Sequence, residues 1–520
     1  MAASRYASIL SLGFGALAAT GFAPLDWWPV ALVSLAAWMW LVHDSASLKH
    51  ALWRGWLFGV GHFAIGNAWI QHAFTFQDKM PHALGYIAVI LVALYLAIYP
   101  ALAAGLAWRF ASPRSVGDLA SPPAPGFALV FAAAWIVTEW LRATMFSGYA
   151  WNPIGVVWLP LGGVANMAAW IGTYALSGVT ILIAGALLLA VFRRWRFAVA
   201  VLGATALLAL FNHHAVPEAA SDPRAPRVRV VQPDLAQEER PEDDYAEENL
   251  RALLALNGKP GPAPRLIVWP EGAVRYMLED GYPSDAYWQA SAAFTRLRIA
   301  ARLGPNDVVL TGGTASQFDR AGNMVSASNS IFGLDRKARL IGRYDKAHLV
   351  PYGEYLPARP LLSQLGLSRL VPGDIDFIDG AGPGGFAVPG FGLVGMQICY
   401  EIIFSGNVAD RAHRPAFLFN PSNDAWFGPS GPPQHLAQAR LRAIEEGLPV
   451  IRATPTGISA IIGPDGALLA TIPLNVAGAI ELPLPRAYAP TLFARTGNIM
   501  AFVVALALLA LAFAFRLRAR

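Results

Sequence analysis

Cys399 is the only cysteine in 520 residues. It stands in Gly-Met-Gln-Ile-Cys-Tyr-Glu, residues 395–401, at the end of a strand-like run, 391–398. A lone cysteine has no partner for an internal disulfide, so it is either a small buried hydrophobe or a nucleophile. Two other polar residues follow apolar, strand-like segments upstream: Glu271 after Leu-Ile-Val-Trp-Pro, and Lys346 within Arg-Tyr-Asp-Lys-Ala-His-Leu-Val-Pro. Acyl transfer through a thiol needs these three residue types. The thiolate is the nucleophile and needs a base to make it. A carboxylate takes that proton and later returns it to the leaving group. A fixed cation, helped by a backbone N–H, stabilises the oxyanion of the tetrahedral intermediate. Taken singly, Glu271 also reads as a helix cap and Lys346 as a solvated loop charge.

Positioning them requires a sheet whose strand ends meet. Residues 227–488 supply the pattern: strands at 227–231, 265–269, 308–311, 328–334, 339–344, 391–398 and 416–419, with helices at 247–256, 284–303 and 434–446. A glycine-containing strand spans 451–462, and residues 335–337 read as a hairpin connection. Strands alternating with helices over such a length indicate one α/β domain with a covered sheet.

In this order and context the three residues resemble the nitrilase superfamily, whose members use a Glu-Lys-Cys triad on an αββα sandwich. The resemblance extends to Gly353-Glu354 and to Ser-Asn-Asp-Ala-Trp-Phe-Gly, residues 422–428. It implies Glu271 as base, Lys346 as oxyanion partner, Cys399 as nucleophile and Glu354 as a supporting glutamate. Tyr400, Glu401, Asn423 and Trp426 would lie beside the site. Where relatives carry a tryptophan near Pro241, this chain reads Leu-Ala-Gln-Glu-Glu-Arg-Pro, which leaves a gating role there open.

The remainder is membrane-like. The chain is 55% hydrophobic and 14% charged, with a mean hydropathy of +0.43, whereas soluble domains carry about 25% charged residues. Apolar runs at 6–23, 27–43, 54–74, 84–108, 126–142, 161–192, 196–212 and 496–515 predict eight helical spans, with a tight corner at Gly21-Phe22-Ala23-Pro24. Residues 1–212 form the N-terminal membrane domain, 213–226 a linker, 227–488 the α/β domain, and 489–520 a final span with a basic tail. Arg5, Lys49, Arg54, Arg109, Arg114, Arg193, Arg194, Arg196, Arg516, Arg518 and Arg520 fall on one set of flanks, which predicts cytoplasmic termini and a periplasmic α/β domain. No basic stretch is interleaved with aromatics, so no nucleic-acid partner is assigned.

With those spans added, the whole chain resembles the apolipoprotein N-acyltransferase family. The resemblance implies a bacterial inner-membrane enzyme, with a phospholipid (typically phosphatidylethanolamine) as acyl donor and a thioester on Cys399. The acceptor would be the α-amine of a diacylglyceryl lipoprotein, the last step of lipoprotein maturation. It implies neither metal nor organic cofactor, and a monomer. The alternative is a membrane-tethered amidase or nitrilase acting on small amides.

Two further groups stand out. Apolar loops at Leu361, Leu362, Leu365, Leu367 and Leu370, at Tyr276, Met277 and Leu278, and at Trp426 and Phe427 read as lids dipping toward lipid. Glu139, Arg142, Tyr149 and Asn152 read first as an interfacial aromatic belt with a snorkelling Arg142, and second as a docking site for head group or lipoprotein. His62 and His72 read as satisfied polar groups of the bundle.

Overall fold

In the computed structural model, which describes residues 2–76, 80–112, 122–211, 224–235, 242–287, 289–371 and 375–518, each of the eight apolar runs is helical over most of its length. Among the described residues, four helices are long and apolar enough to cross a membrane: Leu84–Ala111, Pro125–Thr144, Ala168–Val191 and Ile499–Leu517. Tyr6–Ala19, Trp28–His43 and Trp195–Phe211 are apolar but shorter, and Leu48–Gly66 carries Lys49, His50 and Arg54 in its first two turns.

Small residues let these helices approach closely, as expected where lipid removes the hydrophobic drive between them. A Cβ on Gly15 would lie 2.0 Å from the Phe58 carbonyl oxygen, and one on Gly61 would lie 2.1 Å from that of Leu12. The 161–192 run is no straight rod. Gly172 takes φ +75°, which breaks the helix one turn in and frees the Thr173 N–H; a Cβ there would strike the Phe493 ring.

Among the described residues the α/β part holds two six-stranded sheets. The first runs β12-β1-β2-β3-β4-β5, the second β11-β10-β9-β8-β7-β6. The strands are β1 Arg227–Gln232, β2 Arg265–Val268, β3 Val308–Phe318, β4 Met324–Asp335, β5 Leu340–Asp345, β6 Gly384–Val388, β7 Gly392–Met396, β8 Phe417–Pro421, β9 Val450–Ala453, β10 Ser459–Ile462, β11 Leu468–Ile472 and β12 Gly478–Pro483. Period-two alternation assigns the faces. Val228, Val230, Leu266, Val268, Val308 and Leu310 share a core with Val394, Met396, Phe417, Phe419 and Ile451 of the other sheet. Val231, Ile267 and Val309 point the other way, onto Leu250 and Leu253 of helix Glu242–Leu256 and Ile299 of helix Ala292–Ala300. Helix Gly431–Glu446 is buried along nearly its whole length and touches the bundle. The result is an αββα sandwich.

Some elements differ from the sequence reading. The 451–462 strand is two antiparallel strands, β9 and β10, joined by a turn. The 284–303 helix is only Ala292–Ala300, because Ser291 caps it by accepting the Phe294 N–H at 3.2 Å. The strand from 308 continues to Phe318 and pairs antiparallel with β4. Its polar half, Thr-Gly-Gly-Thr-Ala-Ser-Gln, hid that hairpin. Most of the linker, Pro241 and the last two residues of the tail lie outside the described residues.

Candidate active site

The site forms where strand ends of both sheets meet, rather than on one sheet alone. Glu271 follows β2 and Lys346 follows β5, both in the first sheet; Cys399 follows β7 in the second. Lys346 Nζ lies 2.9 Å from Glu354 Oε2 and 3.9 Å from Glu271 Oε1. Glu354 itself accepts the Val350 N–H at 2.8 Å. The Cys399 thiol lies within hydrogen-bonding reach of the Glu271 carboxyl, whose Oε2 also accepts the Asn423 N–H at 2.7 Å.

Asn329 was not singled out in the sequence, yet it ties the group together. Its amide donates to Glu271 Oε1 at 2.7 Å and to Glu354 Oε1 at 3.0 Å, and its carbonyl accepts the Lys346 N–H at 2.9 Å. Glu401 is the other organiser. Its Oε1 accepts from the Tyr344 hydroxyl at 2.9 Å and from the amides of Ala347 at 2.7 Å and His348 at 3.1 Å. Its Oε2 accepts the Ile398 N–H at 2.6 Å. One carboxylate thus clamps the Lys346 loop to the Cys399 loop.

Electrostatics follow from burial. Burial raises the Glu271 carboxyl above the ordinary range, and Lys346 pulls it back. Burial opposes the charge on Lys346, but Glu354 and Glu271 outweigh it and hold the ammonium above its usual value. Burial and the Glu271 charge push the Cys399 thiol well up. Glu401 is raised by burial to about 7, against the pull of its amide donors. The thiol therefore keeps its proton at rest, beside a carboxyl group and a buried cation. Such a set takes the thiol proton only as the sulfur attacks, which suits acyl transfer.

A second buried network underlies Cys399. Asp424, His435 and Arg452 join Asn420 and Ser422 beneath the Cys399 carbonyl. Of these Ser422 and Asp424 lay within a motif quoted from the sequence, and the types of the others carry no signal until the fold brings them together.

The remaining candidates are placed as follows. Tyr400 donates its hydroxyl to the Gly148 carbonyl at 3.3 Å, and the His348 ring lies 2.8 Å from the Ser147 carbonyl; both join the site to the loop after helix Pro125–Thr144. The Asn423 side chain caps the turn Asp424–Phe427. Trp426 packs on Phe76 at 5.0 Å, and Phe427 packs on Trp69 and Trp151. These two aromatics therefore dock on the bundle and are not free lids. Tyr276 and Leu278 are core residues, because the chain after Glu271 stays bonded to β3 through Val274 N–H and Gly312 O. Leu361 is 61% exposed, Leu362, Leu367 and Leu370 are partly covered, and the Leu365 side chain lies outside the described residues.

The polar cluster of the bundle is not an interfacial belt. Arg142 is 3% exposed and does not snorkel. It donates to the Trp151 carbonyl at 2.7 Å, with Glu139 3.8 Å away. Asn152 donates to Gln434 at 2.9 Å and Tyr149 to Asn67 at 2.9 Å. His62 is buried between Phe22 and Phe58, and its Nδ1 finds no partner among the described residues, so it is not fully satisfied. His72 stands edge-on to Phe76.

A family model for the apolipoprotein N-acyltransferase N-terminal domain matches residues 14–186, and one for carbon-nitrogen hydrolase matches residues 227–489. An apolipoprotein N-acyltransferase of Rhodopseudomonas palustris is 32% identical, covering 96% of this chain and 93% of its own. One of Caulobacter vibrioides is 34% identical over 87% and 85%, and one of Ralstonia nicotianae 33% over 100% and 95%.

Proposed function

The chain belongs to the apolipoprotein N-acyltransferase family and is an acyltransferase, and from this premise we propose that its acyl group passes through Cys399. Glu271 takes the thiol proton as sulfur attacks the ester carbonyl of a phospholipid. Lys346 stabilises the oxyanion, and the proton passes to the departing lysophospholipid oxygen. The thioester then meets the α-amine of a diacylglyceryl-cysteine at the N-terminus of a lipoprotein. Glu271 takes a proton from the amine, the C–N bond forms, the C–S bond breaks, and the proton returns to the thiolate. A thioester is reactive enough for an amine and survives where water is excluded.

The observation that carries this reading is the convergence of base, cation and lone cysteine beside a loop of the membrane bundle. Phosphatidylethanolamine is the proposed donor. The proposed organisation is a membrane domain at 1–212, a linker at 213–226, a catalytic domain at 227–488 and a closing span at 489–520. Eight helices cross the inner membrane, both termini are cytoplasmic, the catalytic domain is periplasmic, and the enzyme works as a monomer. Eight helical apolar runs and the one-sided basic flanks support that topology. Leu361, an exposed apolar side chain in the segment that follows Glu354, supports a lid that dips into lipid.

The test is mass spectrometry after incubation with phospholipid carrying a labelled sn-1 chain. The expected result is an acyl mass on the Cys399 peptide, removed by neutral hydroxylamine, absent in Cys399→Ala and transferred to a lipoprotein peptide on chase. No adduct on the native chain removes the phospholipid donor and makes small amides the next substrates to assay.

A further inference from the structure

The carbonyl of Cys399 is held from beneath by side chains of other elements. His435 Nε2 lies 3.1 Å and Asn420 Nδ2 3.4 Å from that oxygen. His435 is fully buried. A carbonyl oxygen has no proton to give, so Nε2 carries one and donates. Across the ring, Nδ1 lies 2.9 Å from Asp424 Oδ1 and 3.1 Å from Arg452 Nη2. Arg452 in turn reaches Asn420 at 2.5 Å and Ser422 at 2.9 Å. Burial and the Arg452 cation hold the His435 pKa below its usual value, against the pull of the Asp424 carboxylate. The Trp151 ring of the membrane bundle packs on the same imidazole at 5.4 Å.

What this arrangement holds is strained. Cys399 has φ +50°, a conformation that costs a non-glycine residue about 1–3 kcal/mol and persists only where its surroundings impose it. The Cys399–Tyr400 peptide is not among the cis bonds. In a planar trans peptide the N–H points opposite to the carbonyl. Anchoring the carbonyl on His435 therefore fixes the direction of the Tyr400 N–H, the backbone donor next to the nucleophilic sulfur.

We propose that His435 is a positioning residue for acyl transfer: its Nε2–H holds the Cys399 carbonyl so that the Tyr400 N–H is preset, with Lys346, to receive the oxyanion. The inference rests on Cys399 being the acylated residue. His435 makes no contact with substrate in this scheme and acts only through the peptide it orients.

The test pairs two reactions of the same thiol in the full-length enzyme in detergent. Acyl loading from labelled phosphatidylethanolamine passes through an oxyanion, whereas alkylation by iodoacetamide does not. His435→Leu should slow acyl loading about 100-fold, the scale of losing one oxyanion donor, through kcat rather than KM, while alkylation across pH 6–9 stays within about 3-fold of native, a reaction with no oxyanion to stabilise. His435→Gln, whose amide nitrogen reaches the Nε2 position, should restore most of the loading. His435→Asn, whose amide reaches only the Nδ1 position, should not. Native loading in His435→Leu, a parallel fall in alkylation, or equal loading in the Gln and Asn variants would each overturn the assignment. If the Leu variant does not fold, the Gln–Asn comparison decides alone. A native chain that forms no adduct removes the thioester reading and this inference with it, whereas a native chain that loads normally isolates the role of His435.

Discussion

Thr173 donates both its backbone N–H and its hydroxyl to the Glu445 carboxylate, each at 2.6 Å. The bond joins the broken turn of a membrane helix to the helix beneath the catalytic sheet. Arg442 completes the junction, 2.9 Å from Glu445 and bonded to the Ile403 carbonyl at 3.1 Å. All of it is buried. Glu445→Ala leaves the Arg442 cation and the Thr173 amide unpaired, a loss of about 3 kcal/mol. A fall in the Tm of the detergent-purified protein is the expected outcome, and an unchanged Tm would remove the junction from the list of stabilising contacts.

The rate of acyl loading should fall on the acid side. Glu271 must be a carboxylate to take the thiol proton, and burial lifts its pKa above the ordinary 4.5. The rate therefore drops as pH falls through that raised value. Lys346, held above 10.5 by its carboxylates, adds no alkaline limb below that point. Single-turnover loading between pH 4.5 and 9 measures both limbs; a flat acid side would contradict Glu271 as base.

Asn329→Asp places a third carboxylate between Glu271 and Glu354. Like charge raises the Glu271 pKa further and replaces a donor by an acceptor. Loading at pH 7 should fall about 100-fold, comparable to loss of an aligned charge-stabilising group, and the acid limb should move to higher pH. A loss of rate with the limb unmoved would mean that Asn329 only supports the fold.

Leu361→Asp tests the lid. A charge on an apolar residue that meets lipid opposes insertion by about 2 kcal/mol or more. Loading from phospholipid vesicles should drop at least tenfold while Tm stays within a degree or two, as for a surface substitution. Equal rates with native enzyme would place Leu361 away from lipid.

Topology is read with one added thiol. Lys337 is exposed on the β4–β5 hairpin, and the single native cysteine is buried. Lys337→Cys should label with a membrane-impermeant maleimide in spheroplasts, and Arg516→Cys only after lysis. The reverse pattern would invert the proposed orientation.

The three residues proposed for the chemistry stood out because Glu271 and Lys346 each follow an apolar run with a charge that core packing does not ask for, and Cys399 is the one cysteine of the chain. Glu354 and Asn423 came with the resemblance those residues carry. Asn329 did not, since it lies mid-strand in Ser-Ala-Ser-Asn-Ser, where polar residues are unremarkable on an alternating strand. His435 and Arg452 escaped for another reason: their partners are 36 and 28 residues away in sequence. Tyr276 and Leu278 misled because apolar residues after a strand end look unpaired until the continued bonding to β3 buries them. Arg142 misled in the opposite sense, since a helix-end arginine beside tryptophans has the same pattern whether it faces water or a backbone carbonyl.

The division of the site between two sheets has a consequence for biosynthesis. The first sheet, β12 aside, brings the proposed base and cation; the thiol arrives more than fifty residues later, at the end of β7. A nascent chain emerging from the ribosome thus carries no competent centre until its second sheet has been made and docked. A ribosome that stalls before β7, or a protease that trims the product back that far, releases a fragment without the thiol proposed to carry the acyl group. Half an enzyme of this design is harmless to the cell that is building it.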